Sequence, residues 1–171
     1  RRGLTPSSRE TPLASASVVH LGDSHLSLPE DLQWLSVRLR RNHFCNWMNL
    51  HITHAAEGEV EVHAPWREEF ISNPDIRFTH GGILATLIDT AASFAIATRL
   101  GRPPQTIDMR VDFHSMARPG DLIARGKIIR LGRTIATAEA TISDGDSKLV
   151  ASGRATFLVA QDKAPSGPPS T

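Results

Sequence analysis

Residues 81–98, GGILATLIDTAASFAIAT, form an 18-residue stretch in which Asp89 is the only charged side chain. Gly101 and Pro103-Pro104 follow it, residue types that end helices. The stretch predicts about five turns of helix. Being apolar on every side, that helix has to be buried nearly all round. A bilayer is one way to bury about 20 apolar residues. A carboxylate at mid-span is expensive in lipid, however, and Thr86, Thr90, Ser93 and Thr98 dilute the hydrophobicity further. A core helix is therefore favoured over a membrane span.

The rest of the chain has to cover that helix. Past it, four segments alternate apolar and polar residues, as half-buried strands do: 106–114, 121–131, 134–143 and 148–159. Arg118-Pro119-Gly120, Gly132 and Asp144-Gly145-Asp146 separate them as turns. Ahead of the helix, residues 44–54 alternate through Met48, Leu50 and Ile52. After Glu57-Gly58 a second run alternates through Val60, Val62 and Ala64. These two runs predict a hairpin. Residues 65–79 lack a period and contain Asn73-Pro74, which reads as a loop leading to His80. Two strands, a long central helix and further strands make an α+β arrangement, an antiparallel sheet wrapped around a helix.

Ser27-Leu28-Pro29-Glu30 reads as a capping box opening a shorter helix with Leu32, Leu35 and Leu39 on one face. Arg38, Arg40 and Arg41 sit at its end, where the helix dipole favours cations. This helix is expected on the outside of the domain. Residues 1–26, rich in Ser, Thr, Ala and Pro, read as a disordered tail in preference to a targeting peptide, and residues 161–171 as a second loose tail. That leaves 27–160 as one domain, in keeping with a chain of 171 residues. A formal charge of +1 gives no overall attraction to nucleic acid or anionic lipid. The single cysteine, Cys45, cannot form an internal disulfide and reads as a small buried hydrophobe. With no secretory apolar segment preceding the domain, the expected compartment is the cytoplasm.

The common catalytic signatures are missing: no Gly-x-Ser-x-Gly elbow, no phosphate-cradling loop, no Gly-x-Gly-x-x-Gly. His51 and His54 are three apart, a spacing that in a regular strand sets them on opposite faces and argues against a metal pair. Asp89 is different. A carboxylate on so apolar a helix is costly unless it pairs, titrates or faces a water-accessible site. One alternative is structural: a bond to a backbone amide or to a cation such as Arg110. Gly81 and Gly82 leave first-turn amides open to an incoming oxygen, an oxyanion hole in outline, although paired glycines also serve a tight turn. Gly81 and Asp89 are eight residues apart, about 12 Å along a helix. They cannot both touch one carbonyl from the same chain. If both act on one substrate, a two-fold axis must bring the helix start of one copy to the carboxylate of another.

HGGILATLIDTAASFAIA, TIDMRVDFHSMARPGDL and IIRLGRTIATAEATISDGDSKLVASGRATF, in that order, resemble the PaaI-type branch of the hotdog thioesterases, acyl-CoA hydrolases, over residues 73–157. The resemblance implies a hotdog fold and a homodimer, with any pairing into a homotetramer left open. It further implies an acyl-CoA thioester as substrate, with no metal or redox cofactor required. It also implies that Asp89 acts as general base or nucleophile while the Gly81 amide of the other protomer polarises the carbonyl. Thr106 matches a position that holds the water. Asn73 lies in the loop where relatives carry an Asn that assists the carbonyl, one residue further from the His-Gly-Gly than the family pattern. Arg133, in the turn after Gly132, matches a basic position near the coenzyme A phosphates. Two other readings stand beside hydrolysis: a non-catalytic acyl-CoA-binding protein, and a hydratase or dehydratase using His80.

Overall fold

The computed structural model describes residues 28–160. The two expected tails and Ser27 lie outside the described residues, but the expected capping box is corrected: Leu28 and Pro29 are not helical, and the extended Pro29 (ψ 140°) precedes the first turn with no side-chain cap. A 3₁₀ turn at Glu30–Leu32 leads into α1 (Gln33–Arg41), then α2 (His43–Trp47), β1 (His51–Ala56) and β2 (Glu59–Ala64). The long helix α3 spans Gly81–Leu100, and β3 (Gln105–Phe113), β4 (Leu122–Leu131), β5 (Ile135–Asp144) and β6 (Leu149–Leu158) follow it. The strands form one antiparallel sheet in the order β1-β2-β4-β5-β6-β3. Between β2 and β3 the chain thus passes over β4, β5 and β6 to the far edge of the sheet, and α3 makes that crossing over one face. This is the hotdog arrangement.

Burial explains why α3 holds its place. Leu87, Ile88, Ala91, Ala92, Ala95 and Ile96 are fully buried, and each large aliphatic among them contributes about 1.5–3 kcal/mol. It is a core helix, packed against β2, β4, β5 and β6. The contact with the sheet is made by small residues, Ala91 and Ala92 meeting Gly126 of β4 beside Ala124 and Ala140. A Cβ at Gly126 would stand 2.1 Å from the Ala91 carbonyl oxygen. Only glycine permits so close an approach.

Two expectations ahead of α3 are corrected. Residues 44–54 are not one strand. The Asn42 side chain accepts from the amides of Phe44 (3.0 Å) and Cys45 (3.2 Å), and this N-cap starts α2 within the alternating run. Met48, Leu50 and Ile52 are nevertheless all buried, so their shared inward side was real. The regular alternation assumed for His51 and His54 also fails. A bulge between Ile52 and His54 lets Ile52 and Ala55 both point inward, leaving both histidines exposed on the outer side.

Candidate active site

The start of α3 is fixed by its approach loop. Phe70 is buried, the His80 amide donates to its carbonyl (2.7 Å), and the Thr79 amide donates to Ala117 (2.8 Å). His80 is the N-cap, its Nδ1 accepting from the Gly82 amide at 2.8 Å. A ring nitrogen that accepts carries no proton, so in neutral His80 the proton is on Nε2, directed away from the helix. The Ile83 and Leu84 amides both donate to the His80 carbonyl. Among the first-turn donors, the Gly81 amide has no acceptor among the described residues. Phe113 lies over it, its ring edge 3.2 Å from where a Gly81 Cβ would be.

Asp89 lies two turns on, half-buried. Thr106, at the start of β3, donates from Oγ1 to Asp89 Oδ1 at 2.8 Å. A bulge between Thr106 and Asp108 interrupts the pairing with β6 at that point. Asp89 has no ion pair among the described residues. Arg110, the structural partner considered for it, instead binds Asp112 (2.9 and 3.2 Å).

A cleft of about 410 Å³ opens beside this carboxylate. Its floor is the α3 surface of Asp89, Thr90, Ser93 and Phe94, and one wall is Pro103, Pro104 and Thr106. The opposite wall was not anticipated. It comes from α1 and α2, with Arg38, Arg41, Asn42 and Cys45, so the short helix placed outside the domain by its sequence flanks the cleft. The one available signal was Arg38 and Arg41 at i, i+3, which share a helix face. Burial pushes the Cys45 thiol pKa up, and the nearby Asp89 charge adds to this, while a hydrogen bond with the Thr90 side chain works against it. The thiol therefore keeps its proton. A second depression, on the outer face of the sheet, holds two ion pairs, Arg125 with Glu61 (2.8 Å) and Lys127 with Glu59 (2.7 Å).

The remaining sequence-selected residues fall outside this cleft. Asn73 Oδ1 accepts from the Asp75 (2.8 Å) and Ile76 (3.3 Å) amides, which shapes the loop and leaves only its NH₂ to donate elsewhere. Arg133 is exposed in the β4–β5 turn. Leu158 pairs with both Gln105 and Ile135, so that turn lies at the Thr106 end of the sheet, about 10 Å across it at the usual strand spacing.

Residues 77–151 match the thioesterase superfamily. A Halobacterium salinarum protein, an esterase by its name alone, is 34% identical over 128 residues, covering 68% of this chain and 84% of its own. Human acyl-coenzyme A thioesterase 13 is 31% identical over 105 residues, 60% of this chain and 74% of its own. Among solved structures, a thioesterase superfamily protein is 46% identical with a TM-score of 0.74, covering 76% of this chain and 98% of its own. The phenylacetic acid degradation protein PaaI of Thermus thermophilus, solved in a mutant form, is 28% identical with a TM-score of 0.62 over 68% of this chain and 98% of its own. The chain belongs to the thioesterase superfamily, with the hotdog fold and among its PaaI-like members.

Proposed function

We propose that this protein hydrolyses acyl-CoA thioesters to the free acid and coenzyme A. The observation that carries the reading is Asp89: a half-buried carboxylate at a cleft, held through one oxygen by Thr106, with no cation bound to it among the described residues. As general base it takes a proton from water, whose oxygen attacks the thioester carbonyl. As nucleophile it attacks directly, and water then opens the mixed anhydride. On either route the C–S bond breaks, and the thiolate takes up the proton without needing a strong acid. A fixed amide donor facing the developing oxyanion is worth about 3–4 kcal/mol, and the unoccupied Gly81 N–H suits that role. The Gly82 amide is already taken by His80, so His80 and Gly82 serve to set the Gly81 donor in place. Thr106 orients Asp89. Arg133 is assigned to a coenzyme A phosphate and the Asn73 NH₂ to the substrate carbonyl.

The shared site is part of this proposal. Strand β3 is a nine-residue edge strand, and such edges are templates for pairing with another chain. Its Thr106 end touches Asp89 and its Phe113 end covers Gly81. Antiparallel pairing of two β3 strands about a two-fold axis sets the Phe113 end of one beside the Thr106 end of the other. Gly81 of one copy is thereby carried toward Asp89 of the next. The same pairing would cover Ile107 and Phe113, large apolar side chains more than half exposed on that strand. The cytoplasm suits the free thiol of Cys45. The relatives named acyl-coenzyme A thioesterases support the substrate class.

The test is release of free thiol from a panel of acyl-CoA esters, with sedimentation on the same samples. Asp89→Asn keeps the side chain's shape and its acceptor for Thr106, and should lower kcat on the order of 100- to 10,000-fold. Undiminished activity in that variant would falsify the assignment, and an active species that is strictly monomeric would exclude the shared site. Binding of acyl-CoA with no turnover would favour the non-catalytic reading instead.

A further inference from the structure

We propose that Arg38 and Arg41 form an anion clamp at the mouth of the Asp89 cleft and hold a negatively charged group of the thioester. The inference rests on the thioesterase reading and deepens it to a class of substrate. The two guanidinium groups sit one turn apart on the last turn of α1, on a common face, and both line the cleft that Asp89 and Thr106 line. Neither meets a carboxylate among the described residues, whereas Arg67, Arg77, Arg110 and Arg125 each do. Two positive charges therefore face one negative charge across the cleft. Asn42 extends the same rim. Its Oδ1 is committed to capping α2, which leaves its NH₂ as a third donor. An edge built of donors selects an acceptor-rich anion, and arginine pairs select carboxylate and phosphate in particular.

The floor points the same way. Thr90 and Ser93, 6% and 9% exposed, line it beside Phe94, two short hydroxyl-bearing side chains where a long alkyl tail would favour aliphatic ones. Ser93 is one turn beyond Asp89 and on the side away from Gly81, so the cleft extends about 6 Å past the reacting carboxylate. A short dicarboxylic acyl chain covers that span and brings its far carboxylate to the arginines. A coenzyme A phosphate offers the same chemistry from the other half of the substrate, and the experiment separates the two sources.

The experiment compares wild type with the double variant Arg38→Gln, Arg41→Gln, which removes both charges, keeps the first three carbons of each side chain and changes exposed groups. Succinyl- and glutaryl-CoA are assayed against butyryl- and pentanoyl-CoA, and the same acyl groups are assayed as phosphate-free N-acetylcysteamine thioesters. If the clamp holds the acyl carboxylate, wild type prefers the carboxylated ester of each pair, and the substitution lowers that kcat/KM ratio about tenfold in both series. If it holds a phosphate, the substitution weakens all four CoA esters together by about tenfold, and the cysteamine series keeps its ratios. Either result supports the clamp. Unaltered KM values in both series overturn it, and so does a wild-type KM for the preferred ester that added salt does not raise. Calorimetry with the non-hydrolysable thioethers S-(3-carboxypropyl)-CoA and S-butyl-CoA reads the clamp without turnover. Should wild type hydrolyse no ester, the catalytic reading fails, and a tenfold loss of thioether affinity in the double variant, or its absence, still decides the clamp.

Discussion

Gly126→Ala tests what positions Asp89. The new Cβ would lie 2.1 Å from the Ala91 carbonyl oxygen, 2.4 Å from its carbon and 3.0 Å from the Ala92 nitrogen. A carbon rests against a carbonyl oxygen at about 3.3 Å or more, so α3 and β4 must separate by roughly 1 Å. All three atoms are backbone, and no rotamer change relieves the clash. Overpacking of this kind costs about 1–3 kcal/mol. With main chain on both sides the upper end applies, about 3 kcal/mol, or on the order of 10 °C in Tm for a domain of this size. Ala91 is two residues beyond Asp89, and the same shift opens the 2.8 Å contact with Thr106. Misplacing a catalytic group by about 1 Å costs on the order of 100-fold in rate. Urea unfolding followed by circular dichroism, and thioester hydrolysis on the same preparation, measure both effects. Gly145→Ala is the control, since nothing lies within 4 Å of its Cβ. If Gly126→Ala matches that control within about 0.5 kcal/mol and in rate, the close contact does not set the helix position.

Gly81→Ala should separate stability from activity. Its Cβ meets the end of the exposed Phe113 ring at 3.2 Å, and the ring can turn aside, so unfolding should change by less than about 1 kcal/mol. Crowding the free amide should lower kcat on the order of 100-fold, and a fully active variant removes Gly81 from the site. Cys45 gives a pH signature. Its folded thiol holds the proton more tightly than the unfolded thiol, whose value is 9.0. The contribution to stability is whole below pH 9.0 and is lost as pH rises through the folded value. Iodoacetamide should label native protein at about pH 8 far more slowly than unfolded protein, and equal labelling rates would contradict the buried thiol.

The parts of the fold governed by short-range pattern were legible in the sequence. The expected helix from residue 81 is α3, and the expected strand 134–143 lies within one residue of β5 at each end, because Gly132 and Asp144-Gly145-Asp146 turn the chain where period-two patterning stops. Asp89 and Thr106 could each be singled out, Asp89 as a charge on an apolar helix and Thr106 from the family resemblance, but not their bond. That bond depends on α3 crossing to the far edge of the sheet, and strand order is set by contacts between residues distant in sequence. The α2 turn was missed for a local reason: Asn42 caps a helix inside a run whose Met48 and Leu50 also satisfied a strand pattern. The cleft wall from α1 was missed because an amphipathic helix shows which face it buries and not what its polar face overlooks.

The alanine and glycine seam between α3 and the sheet bears on how relatives of this protein can diverge. At Gly126 an added side chain would meet main chain of α3, so enlarging that residue moves the helix that carries Asp89 before it reshapes the cleft. The α1–α2 wall has no such constraint: its Arg38, Arg41 and Asn42 are exposed and touch the cleft from outside the core. Under the proposed acyl-CoA activity, selectivity for the acyl group would then drift, or be redesigned, by exchanging side chains on two short helices while α3 and Asp89 beneath them stay fixed.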